Sequence, residues 1–246
     1  SFEDRQIYTA GMGEALGLLM DKHVLIEAVK GARLNTPLVT TNTDAVGTVI
    51  TNNGLGLDTD GSPTAGFSTT AAGVATNWRA ALKTAAENIK RKRLPMNIKP
   101  RLYIPRSLYY TLLEAVDTNG LSFFNKDFHS GSIETGHMPE IYGIEIQGTN
   151  NIERRAIIQA SVSNTGTDAT FFHHNADLSK TLGILMLKGA VATVKAQDIT
   201  IEIEDYSVSR KAQLVTADYF VGHGWLRQEY CMEFATAGDP ATQGLV

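Results

Sequence analysis

Across residues 1–30, Ile7, Tyr8, Met12, Ala15, Leu16, Leu19, Val24, Leu25 and Ala28 return at steps of three and four, while Glu3, Asp21, Lys22 and Glu27 fall mostly off that stripe. This is the period of an amphipathic helix. The run contains no proline, so the helix can extend about 45 Å at 1.5 Å per residue. Ser1 is placed to cap its start, and Asp4 puts an acid where the helix dipole favours one. Gly31 is placed to end it just past the C-cap. Gly11, Gly13 and Gly17 each weaken a helix by roughly 1 kcal/mol relative to alanine. The pattern therefore predicts that another element packs closely on the small-residue face.

The pattern then changes. Residues 36–70 are rich in Thr, Asn, Gly and Asp, and the β-branched run 46–51 ahead of Asn53-Gly54 predicts a hairpin followed by a surface loop. Thr69 or Thr70 caps a second helix reaching about Arg93, with Val74, Trp78, Ala81, Leu82, Ala85 and Ile89 on one face and Pro95 closing it. A strand at 101–104 runs into Pro105, and a short helix follows at 107–116 with Leu108, Leu112 and Leu113 inward. After a polar loop at 117–139, Ile141, Ile144 and Ile146 flank Gly143 in a strand; residues 157–162 give another, and 163–169 a loop tip.

From Leu182 the chain reads as β-structure almost without a break. Runs 182–187 and 190–194 on either side of Lys188-Gly189 read as a hairpin. Ile199, Ile201 and Ile203 alternate with Thr200, Glu202 and Glu204, so one face of this strand is expected to pack on Leu16, Leu19 and Leu25 of the first helix while the other is acidic and wet. Residues 213–221 and 230–234 supply further strands around Gly222-His223-Gly224. The expected class is α+β, a long helix and an extended ribbon made to cover one another.

Composition narrows the function. The chain has 246 residues, 43% hydrophobic and 20% charged, enough to bury a real core. A net charge of -4 argues against a domain that grips nucleic-acid phosphates over a basic face. Cys231 is the only cysteine, which excludes an intrachain disulfide and any CxxC metal site. No Asn-x-Ser/Thr sequon, basic-then-apolar leader or apolar run near the ~20 residues of a bilayer span is present.

Candidate chemistry is thin. Gly54-Leu55-Gly56 with Gly61 lacks the spacing and following helix of a phosphate loop, and Asp58-Thr59-Asp60-Gly61 lacks the further oxygen ligands of a calcium loop. His173, His174 and Asp177 offer ligand chemistry, but adjacent residues in a strand point to opposite faces. Lys90, Arg91, Lys92 and Arg93 stand where a helix C-terminus favours cations. Cys231 sits in an apolar strand pattern, and there is no Gly-x-Ser-x-Gly elbow. These residues give no catalytic, metal or cofactor site.

The run 182–194, Leu-Gly-Ile-Leu-Met-Leu-Lys-Gly-Ala-Val-Ala-Thr-Val, the run 198–204, Asp-Ile-Thr-Ile-Glu-Ile-Glu, and the run 219–229, Tyr-Phe-Val-Gly-His-Gly-Trp-Leu-Arg-Gln-Glu, resemble the end of the major capsid proteins of short-tailed, podovirus-type bacteriophages. Upstream, Arg101-Leu-Tyr-Ile-Pro105 and Glu140-Ile-Tyr-Gly-Ile-Glu-Ile146 are similar to strand segments of the same family, and the long first helix fits its spine helix. Gln228 departs from the family, which often has proline there, and leaves the entry to the last strand less rigid.

The resemblance implies a Hong Kong 97-like fold. Residues 1–35 would be the spine helix of a peripheral domain, 36–193 an axial domain, 194–234 the peripheral β-ribbon and 235–246 a tail. The N-terminal arm and extended loop of the family have no counterpart in residues 1–246. The implied function is a shell subunit that assembles with itself into pentamers and hexamers, meets scaffolding and portal proteins, and encloses double-stranded DNA without reading its sequence. It uses no cofactor and no membrane, is made in the cytoplasm of a bacterial host and ends in the virion. Glu202 and Glu204 are the candidates for contact with a neighbouring subunit, with Arg210, Lys211 and Arg227 as their partners. An encapsulin-type compartment is the alternative within the fold, and a mixed α/β enzyme with an unseen site the alternative of another class.

Overall fold

The computed structural model describes residues 2–34, 36–37, 44–52, 55, 71–94, 97–115, 140–152, 156–157, 176–178, 180–207 and 212–236. Expectations that fall on Ser1, Asn53-Gly54, the glycine and aspartate motifs of 56–61, Thr69, Thr70, Pro95, the loops at 117–139 and 163–169, residues 158–162 and His173-His174 lie outside them.

Helix α1 runs Phe2–Arg33 and is followed by β1, Thr48–Thr51. Helix α2 is Ala71–Arg91, β2 Arg101–Pro105, α3 Arg106–Glu114 and β3 Glu145–Thr149. The short strands β4, Ala156–Ile157, and β5, Ala176–Asp177, pair antiparallel. Then come β6, Thr181–Met186, the long strands β7, Val191–Ser207, and β8, Ala212–Trp225, a 3-10 turn at Gln228–Tyr230 and β9, Cys231–Ala235.

A five-stranded mixed sheet in the order β1-β9-β6-β2-β3 carries the core. β1 lies parallel to β9 and β2 parallel to β3, while β6 is antiparallel to both β9 and β2. Helix α2 buries the face expected of it: Val74, Trp78, Ala81, Leu82 and Ala85 are buried and Ile89 partly so. Trp78 stacks on Phe234 with ring centroids 5.2 Å apart, and its Nε1 donates to the Leu55 carbonyl. Gly183 admits this layer, since a Cβ there would meet Trp78 Cη2 at 3.0 Å and Ile104 Cγ2 and Leu102 Cδ1 at 3.2 Å. In α3, Leu108, Leu112 and Leu113 point inward as expected.

The hairpin expected at Asn53-Gly54 falls outside the described residues; within them β1 pairs with β9, Ile50 opposite Phe234. Several expectations are overturned. Lys188-Gly189 does not join a hairpin. β6 stays in the sheet, the turn at Gly189 (φ 96°) sends the chain out of it, and β7 pairs with β8. Gly143 is not inside a strand: Tyr142 (φ 54°) and Gly143 (φ 79°) form the left-handed pair of a tight turn closed by Ile141 and Ile144, and β3 begins after it.

Gly31 does not end α1. The helix continues to Arg33, whose guanidinium is buried on Glu233, and Gly31 instead lets Trp225 and Cys231 approach, with a Cβ there only 3.1 Å from Trp225 Cβ and Cys231 Sγ. The apolar stripe of α1 is buried only at its C-terminal end, through Leu25, Ile26, Ala28, Val29 and Ala32. Ile7 and Tyr8 are 70% and 67% exposed, and a Cβ added at Gly11, Gly13 or Gly17 would find no atom within 4 Å. The close packing expected of that face is not made by the described residues. Ile201 and Ile203, 36% and 43% exposed, do not bury against Leu16, Leu19 and Leu25; Leu19 too is exposed. The helix meets the base of the ribbon, where the His23 and His223 rings lie edge to face at 6.1 Å.

Candidate interaction surface

Residues directly opposed in an antiparallel pair share a face. Along the ribbon Ile201 opposes Ala217 and Ile203 opposes Val215, giving an apolar face, while Glu202 opposes Thr216 and Glu204 opposes Leu214 on the other. All of Ile201, Glu202, Ile203, Glu204, Leu214 and Thr216 are exposed. The ribbon base is held firmly. The Leu226 and Arg227 amides both donate to the Ala190 carbonyl, at 2.8 and 3.3 Å, and Thr193 Oγ1 lies 3.0 Å from His223 Nδ1.

Of the residues expected to meet a neighbour, Glu202 and Glu204 stand exposed on one face, and Arg210 and Lys211 lie outside the described residues. Arg227 is exposed at the opposite end of the ribbon; its Nη1 donates to Tyr230 Oη at 2.8 Å and its guanidinium sits 5.1 Å from that ring centroid. The sequence reading missed the outward apolar face of α1, carried by Ile7, Tyr8, Leu18 and Leu19. The signal is in the stripe itself, which marks an apolar face without saying whether the same chain covers it.

Beside the ribbon base, Val24, Ile98, Lys99, Arg101, Lys188 and Val191 border an open groove of about 720 Å³. Its charges are largely matched. Lys99 is hydrogen-bonded to Glu140, which raises its pKa, and Arg101 Nε donates to Glu145 at 3.1 Å. The Glu145 carboxyl is held below its usual range first by Gln147, then by Arg101, against a partial desolvation.

Two groups with perturbed ionisation belong to packing. Burial pushes the Cys231 thiol up to about 12, which removes the thiolate a nucleophile needs. Burial, with Arg91 adding to it, pulls Lys92 down to about 8. Lys92 Nζ donates to Thr48 Oγ1 at 2.6 Å and to the Val46 carbonyl, stitching the end of α2 to β1. Among the described residues no group of three or more His, Cys, Asp or Glu is placed to hold a metal, and no helix is long and apolar enough to cross a membrane.

The model of the Gp10A-like major capsid protein family matches residues 2–234. The chain belongs to that family. No curated protein matches the sequence. Among solved structures, the capsid of the cyanophage P-SCSP1u is similar at 24% identity with a TM-score of 0.72, over 95% of this chain and 66% of that one. The mature capsid of bacteriophage PhiM1 is similar at 15% identity and a TM-score of 0.68, over 95% and 65%, and Mycobacterium phage Che8 at 15% and 0.54, over 92% and 61%. The chain thus spans just under two thirds of the length of the structures it matches. At these identities the likeness is one of fold, and it is the phage capsid fold that the α+β reading and the resemblance implied. Membership of the family makes the role of the chain a structural one.

Proposed function

We propose that the chain is the subunit that builds the icosahedral shell of a short-tailed bacteriophage. The observation that carries this, beside the family, is the long helix and ribbon whose apolar residues Ile7, Tyr8, Leu18, Ile203 and Leu214 no described residue covers. Large apolar side chains left exposed along a helix and a ribbon are what a subunit presents when another surface meets it. Residues 1–35 and 194–234 then form the peripheral part of the subunit, with β9 returning into the sheet, residues 36–193 the axial part and 235–246 a tail. Copies tile as pentamers and hexamers around double-stranded DNA, with scaffolding and portal proteins guiding assembly in the bacterial cytoplasm.

Glu202 and Glu204 meet Arg210, Lys211 or Arg227 of a neighbouring copy, opposite charges that fix register more than they add affinity. The subunit carries out no catalysis; the buried, high-pKa Cys231 and the structural use of Lys92 support that. Electron microscopy of the full-length protein expressed in bacteria, and of particles from infected cells, tests the reading. Closed icosahedral particles, filled with DNA and tailed in infected cells, are expected. Protein-loaded compartments would replace it with the encapsulin reading, and isolated soluble oligomers with an enzyme.

A further inference from the structure

The pairing of β7 with β8 is regular at the base, where Val191, Thr193 and Lys195 oppose Trp225, His223 and Val221. It is regular again beyond Thr200, from Thr200 opposite Asp218 to Asp205 opposite Gln213. Between these stretches the register shifts twice: Gln197 opposes Phe220, and β7 takes five steps from Lys195 to Thr200 while β8 takes three from Val221 to Asp218. Two extra residues therefore stand in one strand within a single turn of pleat. Each bulge interrupts the ladder, bends the strand and adds twist.

The two sides of this interruption are held differently. The base is tied to the body by the Ala190 carbonyl, the His23–His223 contact and Trp225 against Gly31. The far part shows Ile201, Glu202, Ile203, Glu204 and Leu214 to solvent. At the break, side chains tie the bulged segment of β7 to itself, and one of them reaches β8. Lys195 Nζ contacts Asp198 Oδ1 at 2.7 Å, the same oxygen accepts from the Ile199 amide at 2.8 Å, and Gln197 Nε2 reaches both Asp218 Oδ2 and Thr200 Oγ1 at 3.3 Å. The Lys195 and Ile199 contacts hold the Asp198 carboxyl below its usual range, so the clasp is formed at neutral pH. It is also exposed, and exposed ion pairs are individually weak.

We propose that residues 195–200 with 218–221 are a joint, about which the outer part of the ribbon swings against a fixed base, with the Asp198 clasp limiting the swing. The joint is a property of the single chain. For a chain that tiles a curved surface, which rests on the proposed function, it lets identical subunits meet neighbours at different angles.

Distance distributions between spin labels on the unassembled, full-length chain test it. One label goes on Lys83→Cys in α2, the other on Val194→Cys before the joint or Glu202→Cys beyond it; all three sites are exposed, and Cys231 is buried and takes no label. The distribution to position 202 should be about twice as wide as that to 194, because only the former crosses the interrupted ladder. Asp198→Ala should widen the outer distribution further, while Glu204→Ala, beyond the joint, changes neither. Deleting Ala196 and Ile199, which restores a continuous register, should narrow the outer distribution to the inner one. Equal widths in the wild type, or no response to Asp198→Ala, would overturn the proposal even if the deletion variant fails to fold.

Discussion

Arg33 and Glu233, 200 residues apart, close a buried two-pronged ion pair: Nε donates to Oε2 at 2.7 Å and Nη2 to Oε1 at 2.8 Å, with both side chains almost fully excluded from water. Thr181 Oγ1 donates to the same carboxylate at 2.5 Å and accepts from Nη2 at 3.3 Å. The last turn of α1, the first residue of β6 and the middle of β9 are thereby tied at one point.

Removing one partner should be far worse than removing both. Arg33→Met leaves the Glu233 carboxyl buried without its main partner, and should lower unfolding stability by about 3–5 kcal/mol. The double variant Arg33→Met with Glu233→Met should recover much of that loss. Urea unfolding of the two proteins, or their soluble yield if the single variant is too unstable to purify, gives the comparison; a double variant as weak as the single one would contradict it.

Ile201→Asp should leave the isolated subunit folded. The side chain is 36% exposed, so the carboxylate keeps water, and losing a β-branched residue from the strand should cost about 1 kcal/mol in thermal unfolding. Particle yield should nevertheless fall, since the same face is proposed to be covered in the shell. Insoluble Ile201→Asp protein would show that the isoleucine is covered within one chain after all.

Reversing Glu202 and Glu204 to lysine should leave unfolding unchanged within about 0.5 kcal/mol, as surface charges usually do. Particle yield should drop, and drop more at low salt, where repulsion from Arg210, Lys211 or Arg227 of a neighbour is least screened. Wild-type yield and salt dependence would put the contact elsewhere.

Lys92 gives a pH signature. Its folded pKa, about 8, lies below the ordinary 10.5, so between those values the unfolded chain binds the proton and the folded chain does not. Stability then rises with pH. Below pH 8 the cost of burying the charge is present in full, and above 10.5 it is gone. Other groups titrate in this window, so the measurable quantity is the difference between wild type and Lys92→Met in chemical unfolding from pH 7.5 to 10.5; that difference should shift in favour of the wild type as pH rises.

Gly47→Ala should prevent normal docking of β1. A Cβ there would lie 2.3 Å from the carbonyl oxygens of both Gly31 and Ala32, and backbone atoms at a helix end cannot move aside as a side-chain tip can. A loss of more than about 3 kcal/mol is expected, at the upper end of what overpacking produces, with reduced protection of the Thr48–Thr51 amides in hydrogen exchange.

What was legible in the sequence was whatever repeats at short range. The buried face of α2 from Val74 to Ala85 and the alternation along β7 were both visible as periods, and the exposure of Glu202 and Glu204 follows from the second. What was misread depends on distant partners. The pairing of Thr48–Thr51 with β9 could not be read because β9 is about 180 residues away. Arg33 and Glu233 carry no local mark of being a pair, so in the sequence alone Gly31 reads as the end of a helix that runs on to Arg33. The isoleucines of β7 do share one face, but a period says only that a face is apolar, not whose surface meets it.

The order β1-β9-β6-β2-β3 has a consequence for synthesis on the ribosome. β9, which joins β1 to the rest of the sheet, follows every other described strand in the chain, so a nascent chain holding everything through the ribbon still has β1 and β6 without their shared neighbour, a tryptophan without its stacking phenylalanine and an arginine without its carboxylate. Such long-range closure is slow to form, and it makes completion of the core a late, all-or-none event. Chains stopped before Cys231 should therefore be cleared by proteases rather than released as half-built subunits, leaving only finished copies to compete for places beside one another.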